Sequence, residues 1–111
     1  NMAITSNVKQ TIALTADGLA QKYVKTAATT ITKARIMQVT GQSSAADAVI
    51  KIYNEADSSK TASALVFEGK WGTAANETQS FTIPGEGIYC DAGMYVDVTN
   101  CDHVTIIGTF T

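Results

Sequence analysis

The feature that most constrains this chain is an alternation of apolar and polar residues with period two, repeated in short runs between turn residues. Successive side chains of a β-strand point to opposite faces of a sheet, so such runs predict half-buried strands. The runs recur about every 8–12 residues, which is typical of a sandwich or barrel. They cover residues 8–14, 23–32, 33–40, 48–53, 64–68, 79–83, 94–99 and 103–110, with a brief extended piece at 88–90. We therefore predict an all-β fold, an antiparallel, jelly-roll-like β-sandwich of about eight short strands.

Polar segments between the runs predict loops at 41–47, 54–63, 72–77 and 100–102. The clearest turn signal is Pro84-Gly85-Glu86-Gly87, because proline and glycine supply the dihedral angles that tight turns need. A length of 111 residues fits one compact domain. We predict a single domain over residues 1–111. Residues 1–10 are polar and have no evident strand partner, so we expect them to form a mobile N-terminal arm.

The composition restricts the classes of partner. Hydrophobic residues make up 45% of the chain and charged residues only 16%, below the roughly 25% of typical domains. Thr, Ser, Asn, Gln and Gly must therefore cover the surface, and threonine suits the solvent face of a sheet. Few charges would have to be desolvated where such a surface meets another protein. A net charge of -2 and scattered basic residues argue against nucleic acid or an anionic membrane as partner.

The search for catalytic chemistry yields no arrangement of residues that we would assign to an enzyme. His103 is the only histidine, and its neighbour Asp102 points to the opposite face of a strand. Asp97 lies mid-strand and is expected to face outward with Tyr95 and Thr99. No calcium or phosphate loop is present in the sequence. We predict a non-enzymatic protein with no catalytic residue, no cofactor and no metal site.

The two cysteines, Cys90 and Cys101, are too few for a disulfide framework. We interpret them as small, half-buried hydrophobic residues. A disulfide across a β-pair is the alternative.

Three residues are candidate partner contacts. Trp71 lies at the edge of a predicted loop, where an exposed indole would anchor a partner or stack on a sugar. A core tryptophan at a strand end is the alternative. Val8 and Lys9 belong to the predicted arm, and an arm of this kind orders on a neighbouring chain. The tyrosines would complete a sugar platform, although Tyr53 and Tyr95 lie mid-strand and are expected to turn one ring face inward.

Residues 31–110 resemble small structural proteins of tailed bacteriophages, whereas residues 2–30 show no such likeness. The resemblance is carried by β-sandwich patterning with turn glycines. The matching segments are MQVT at 37–40, AADAVIKIYN at 45–54, GIYCDAGMYVDVT at 87–99 and VTII at 104–107. Met94 stands where those proteins usually have leucine.

This resemblance implies a β-sandwich component of a virion, assembled in the host cytoplasm. The expected role is that of a capsid decoration (cement) protein that stabilises the head. Its expected partners are other virion proteins of the capsid or tail and further copies of itself in a homo-oligomer. The alternative is a carbohydrate- or receptor-binding module of a phage tail or fibre.

Overall fold

The computed structural model describes residues 10–24 and 27–111, and within them nearly all regular structure is β-strand. Eleven strands are joined by turns and loops, and a single turn of 3-10 helix spans Ala62–Ala64. The strands are β1 (Gln10–Leu14), β2 (Gly18–Leu19), β3 (Gln21–Val24), β4 (Ala27–Thr30), β5 (Ala34–Ser43), β6 (Ala48–Tyr53), β7 (Leu65–Trp71), β8 (Thr78–Thr82), β9 (Ile88–Cys90), β10 (Tyr95–Thr99) and β11 (Cys101–Phe110). The prediction of an all-β, antiparallel sandwich is confirmed.

Two antiparallel sheets make up the sandwich. Sheet A has the order β1-β11-β5-β8, and β9 pairs with the beginning of β5. Sheet B has the order β2-β10-β6-β7. The strands β3 and β4 form a separate hairpin. When this hairpin and β9 are set aside, the remaining eight strands follow the jelly-roll arrangement, with the first and last strands adjacent in one sheet.

The core lies between the two sheets and is one contiguous hydrophobic cluster. Alternate residues of the long strands contribute to it, as the period-two pattern predicts, except that the alternation in β5 is interrupted between Ile36 and Val39 by an irregularity in its register with β11. The fully buried members with the largest side chains are Ile31, Ile36, Val39, Ile50, Ile52, Met94, Val96, Val104 and Ile106. The alternate residues of the same strands therefore form the two outer faces on which a binding surface can be built.

The interpretation of residues 23–32 as one strand is wrong. The chain folds back there, with β3 (Gln21–Val24) paired to β4 (Ala27–Thr30) and Gln21 opposite Thr30. Two arms of a hairpin carry the same β-branched pattern as one long strand, so the pattern alone does not locate the reversal. Residues 25–26, which join the arms, lie outside the described residues.

Three predicted boundaries also change. Strand β5 continues to Ser43, so residues 41–43 are not part of a loop. Strand β7 runs through Gly69 to Trp71 instead of ending at residue 68. Strand β11 already begins at Cys101, inside the connection predicted at 100–102. In each case small or polar residues suggested a loop, although their backbones are paired with a neighbouring strand.

The turn predicted at residues 84–87 is confirmed. The Gly87 N–H donates to the Pro84 carbonyl at 3.3 Å, and Gly85 and Gly87 have φ angles of 66° and 81°. These left-handed values favour glycine.

At the other end of the chain, residues 1–9 of the predicted arm lie outside the described residues. Gln10, placed in the arm by the prediction, instead begins β1 and pairs with Gly108.

Candidate functional site

Trp71 ends β7 with its indole half-buried against the core. Its ring lies 5.9 Å from the Phe81 ring in an edge-to-face arrangement, and its Nε1–H donates to the Glu77 carbonyl at 2.9 Å. Gly41 makes room for it, since a Cβ there would lie 2.6 Å from the indole Cη2. These contacts fit the core alternative for this residue. Its role as a partner contact remains a prediction.

A shallow depression of about 280 Å³ opens beside this indole. It is lined by Asp47, Ala48, Val49, Lys70, Trp71 and Gly72. One carboxylate, one ammonium group and an aromatic edge are the chemical groups that it offers. Such a set can hold a small polar molecule or a side chain of another protein.

The loop at 72–77 is tied firmly to the end of β5. The fully buried Ser43 hydroxyl donates to the Ala74 carbonyl at 2.7 Å and accepts from the Glu77 N–H at 3.0 Å. The Glu77 carboxylate accepts hydrogen bonds from the Thr73 hydroxyl and N–H, which lower its pKa. The wall of the depression beside Trp71 is therefore held by a network of hydrogen bonds.

Charged residues concentrate on the outer face of sheet B. The Lys60 ammonium lies 3.4 Å from Asp17 and 3.5 Å from Asp97, above the Tyr95 ring. The nearby Asp97 carboxylate is the main cause that raises the pKa of Lys60. Asp97 does point outward, as predicted, but Lys60 partly covers it. Tyr95 is buried although it lies on this outer face, with the Lys60 ammonium 5.9 Å from the centre of its ring.

A second set of ion pairs continues along this face. The Glu68 carboxylate lies 3.9 Å from the Lys51 ammonium and 3.6 Å from the Lys70 ammonium. Strand pairing brings Asp97, Lys51 and Glu68 into one cross-strand row. Four of the five ion pairs among the described residues therefore lie on or beside sheet B.

The outer face of sheet A is different, because its central rows carry no charged side chain among the residues that the structure describes. We call this surface the neutral face. It consists of Thr11, Ala13, Gln38, Thr40, Gln42, Thr78, Ser80, Thr82, Thr105 and Ile107. Some of its polar groups already pair with each other, since the Thr40 and Ser80 hydroxyls are 3.0 Å apart and Gln38 donates to Thr40 at 3.4 Å. This face can meet another protein surface without stripping water from a charge.

One end of sheet A adds an aromatic and a cation to this surface. Tyr89 is 51% exposed, and the Arg35 guanidinium lies 5.4 Å from the centre of its ring. Arg35 also donates to the Glu86 carbonyl at 2.9 Å. Tyrosine and arginine are enriched at protein interfaces, so this pair is a suitable rim for the neutral face.

The two thiols are free and buried. Cys90 pairs with Ala34 and Cys101 with Ser43, at opposite ends of β5. Nine positions along a strand (34 to 43) span roughly 30 Å, far beyond the ~7 Å that a disulfide bridges. Burial raises the pKa of Cys90 to about 11 and raises that of Cys101 as well. The structure therefore favours the interpretation as buried apolar residues over the disulfide.

We expect both thiols to resist a disulfide reagent at pH 8 in the native protein, because the thiolate is scarce and enclosed. Unfolding in denaturant should expose both, giving two reactive thiols per chain. A colorimetric thiol assay with and without denaturant measures this. Rapid native labelling of either cysteine would contradict the buried placement.

The remaining predicted residues lie as follows. His103 is exposed on β11, opposite Gln42 at the border of the neutral face. Val8 and Lys9 lie outside the described residues.

In residues 10–24 and 27–111, no group of three or more His, Cys, Asp or Glu side chains is placed to hold a metal ion. The same part of the chain contains no helix with the length and hydrophobicity needed to span a bilayer.

The chain matches no protein-family profile, and no curated protein sequence is significantly similar to it.

The neutral face was missed by residue-by-residue reasoning, although its signal is present in the sequence. Threonine, serine and glutamine occupy alternate positions of β5, β8 and β11, so each strand showed a polar face. These residues form one surface only because β5 pairs with β8 and β11 in the observed register, and these strands are far apart in the chain.

Proposed function

We propose that this chain is a non-enzymatic structural protein of a tailed-phage virion, a capsid decoration protein that stabilises the head. It is assembled in the host cytoplasm, and its partners are the capsid or tail proteins and further copies of itself. Two lines of reasoning support this: the resemblance of residues 31–110 to such proteins, and the jelly-roll arrangement of the strands. Viral capsid proteins use this arrangement, but so do lectins, so the fold supports the proposal only by analogy.

The observation that carries the proposal is the contrast between the two outer faces. The charges of sheet B are already paired within the chain, whereas the neutral face of sheet A offers hydroxyl, amide and methyl groups. A decoration protein must bind a repeated surface in many copies. Docking through the neutral face buries polar groups that form hydrogen bonds and leaves no ion unpaired.

A charge placed in the middle of the neutral face tests this directly. Thr105 lies on β11 between Ala13 and Thr40 in the cross-strand row. We expect Thr105→Lys to weaken binding to empty heads of the source phage by at least roughly tenfold, because the new ammonium would be buried without a partner. Co-sedimentation of purified protein with heads that lack it measures the affinity.

Thr99→Lys is the matched control, since Thr99 is exposed at the end of β10 on sheet B. It introduces the same charge and should leave head binding unchanged. If the wild-type chain does not co-sediment with heads, the proposed function is wrong. If both variants bind as the wild type does, the chain uses a surface other than the neutral face.

A second candidate function is a carbohydrate- or receptor-binding module of a tail or fibre. The depression beside Trp71 favours it, because an aromatic edge with Asp47 and Lys70 suits a polar ligand. Tyr53 and Tyr95 do not contribute to a platform, as both are buried.

Trp71 is the only tryptophan, so the tryptophan emission reports on the surroundings of this one residue, which include the depression. Titration with host surface polysaccharide should change the emission if this candidate is correct. An unchanged spectrum together with a silent glycan array would exclude it.

A further inference from the structure

Strand β7 (Leu65–Trp71) lies at the edge of sheet B. Within the described residues it pairs only with β6, so the outer side of its backbone has no strand neighbour there. At seven residues it is longer than the two-residue edge strand β2 on the other side of the sheet. An edge of this length is a template for pairing with another chain unless it is blocked.

The side chains of β7 are arranged symmetrically around Gly69. Glu68 and Lys70 flank it on the outer face, where both are exposed. Phe67 and Trp71 flank it on the core-facing side, where both are half-buried. An antiparallel copy of the same strand, centred on Gly69, would therefore meet an opposite charge at each outer position and an aromatic ring at each inner one.

We propose that two copies of this chain associate through β7, as an antiparallel pair with Gly69 opposite Gly69 of the second copy. Glu68 then lies opposite Lys70 of the second copy, and Lys70 opposite its Glu68. Phe67 lies opposite Trp71 of the second copy. A two-fold axis perpendicular to the sheet relates the copies, and the two B sheets join into one sheet of eight strands. Cross-strand pairs of opposite charge and of aromatic rings stabilise such a ladder.

The charges also select the register. A slip by two residues places Glu68 against Glu68, or Lys70 against Lys70, and like charges directly opposite are destabilising. A slip by one residue sets the charged face of one strand against the aromatic face of the other. Only the register with Gly69 opposite Gly69 places opposite charges together on the outer face and aromatic rings together on the core-facing side.

This pairing rests on the proposed function, which includes further copies of the chain among its partners, and it names the surface through which two copies would meet. Head binding through the neutral face of sheet A is a separate event on the opposite side of the sandwich. The two are measured separately, so the failure of one does not hide the outcome of the other.

Charge reversal at β7 tests the pairing. Lys70→Glu places two carboxylates against each other at both symmetric positions, so we expect the dimer dissociation constant to rise at least roughly tenfold. Glu68→Lys should do the same with two ammonium groups. Light scattering over a concentration series measures the mass, and thermal melting confirms that each variant is folded. Lys33→Glu is the matched control: Lys33 is exposed outside β7, and the variant makes the same change in net charge.

Mixing the two variants gives the decisive result. Lys70→Glu and Glu68→Lys chains complement each other at every outer position, so their equimolar mixture should form heterodimers that neither forms alone. Because the two variants have nearly equal masses, isotopic labelling of one of them lets native mass spectrometry distinguish heterodimers from homodimers.

A wild-type chain that stays monomeric over the series would overturn the pairing and show that Glu68 and Lys70 protect the edge instead. A mixture that remains monomeric, or a Lys33→Glu effect equal to that of Lys70→Glu, would also overturn it. Head binding that persists in a monomeric wild type would leave the proposed function intact.

Discussion

Replacing Gly108 by alanine is expected to lower the free energy of unfolding by about 3 kcal/mol or more, at the upper end of the cost of overpacking. Gly108 is buried in β11, directly after an irregularity in its register with β5. A Cβ at this position would collide with the Arg35 carbonyl oxygen, and it would lie 3.0 Å from the Arg35 carbonyl carbon and 3.2 Å from the Ile36 Cα. These are backbone atoms of a central strand, so they cannot move aside without breaking the ladder.

The two strands involved make the most extensive pairing among the described residues, which runs from Cys101–Ser43 to Phe110–Ala34. Shifting β5 away from Gly108 would disturb both β8 and β9, which pair with it on the other side. The damage would therefore spread across sheet A and its neutral face.

Gly18→Ala is the control for this prediction. A Cβ at Gly18 meets no heavy atom within 4 Å, so the change should alter stability by no more than about 0.5 kcal/mol. Chemical denaturation followed by circular dichroism gives both values. If the free energy of unfolding of the Gly108→Ala protein lay within about 1 kcal/mol of the wild-type value, the close approach of the two strands would be contradicted.

The all-β architecture could be predicted from the sequence because it is determined by the order of residues within short segments. Alternation at β6, β10 and β11 reports directly which side chains face the core, and the turn at 84–87 carries its own dihedral requirements. The fold class needed no other information. The number of strands did, because the sequence indicated about eight and the described residues form eleven, with β2 unpredicted and residues 23–32 divided between β3 and β4.

What the sequence did not reveal depends on contacts between distant residues. The reversal between β3 and β4 has the same local pattern as a single strand. Gly41 and Ser43 read as loop residues, yet Gly41 is buried because the Trp71 indole occupies the space above it. The cover that Lys60 forms over Asp97 and Tyr95 joins residues 35 or more positions apart.

The candidate surfaces were less predictable than the fold for the same reason. Trp71 was identified from its residue type, but its hydrogen bond to Glu77 and its packing on Phe81 depend on the tertiary structure. The neutral face and the symmetric β7 edge are properties of register. A composition low in charge signalled that an uncharged surface exists, without indicating which strands carry it.

Ser43→Ala is the second change with a large expected effect, a loss of about 2 kcal/mol from the free energy of unfolding. The Ser43 hydroxyl makes two hydrogen bonds to the loop at 72–77, to the Ala74 carbonyl and from the Glu77 N–H. Each hydrogen bond contributes about 1 kcal/mol, and a buried group left without its partner costs more. Alanine fits the space but satisfies neither group.

The variant should also change the tryptophan signal, because the Glu77 carbonyl accepts from both the Ser43 N–H and the Trp71 indole. Loosening the loop would expose the indole and shift its emission to longer wavelength before global unfolding. Ser44→Ala is the matched control, since the adjacent Ser44 is exposed, and it should leave both stability and emission unchanged. Equal behaviour of the two variants would mean that the end of β5 does not hold the loop. The depression beside Trp71 would then lack the rigid wall that a binding site requires.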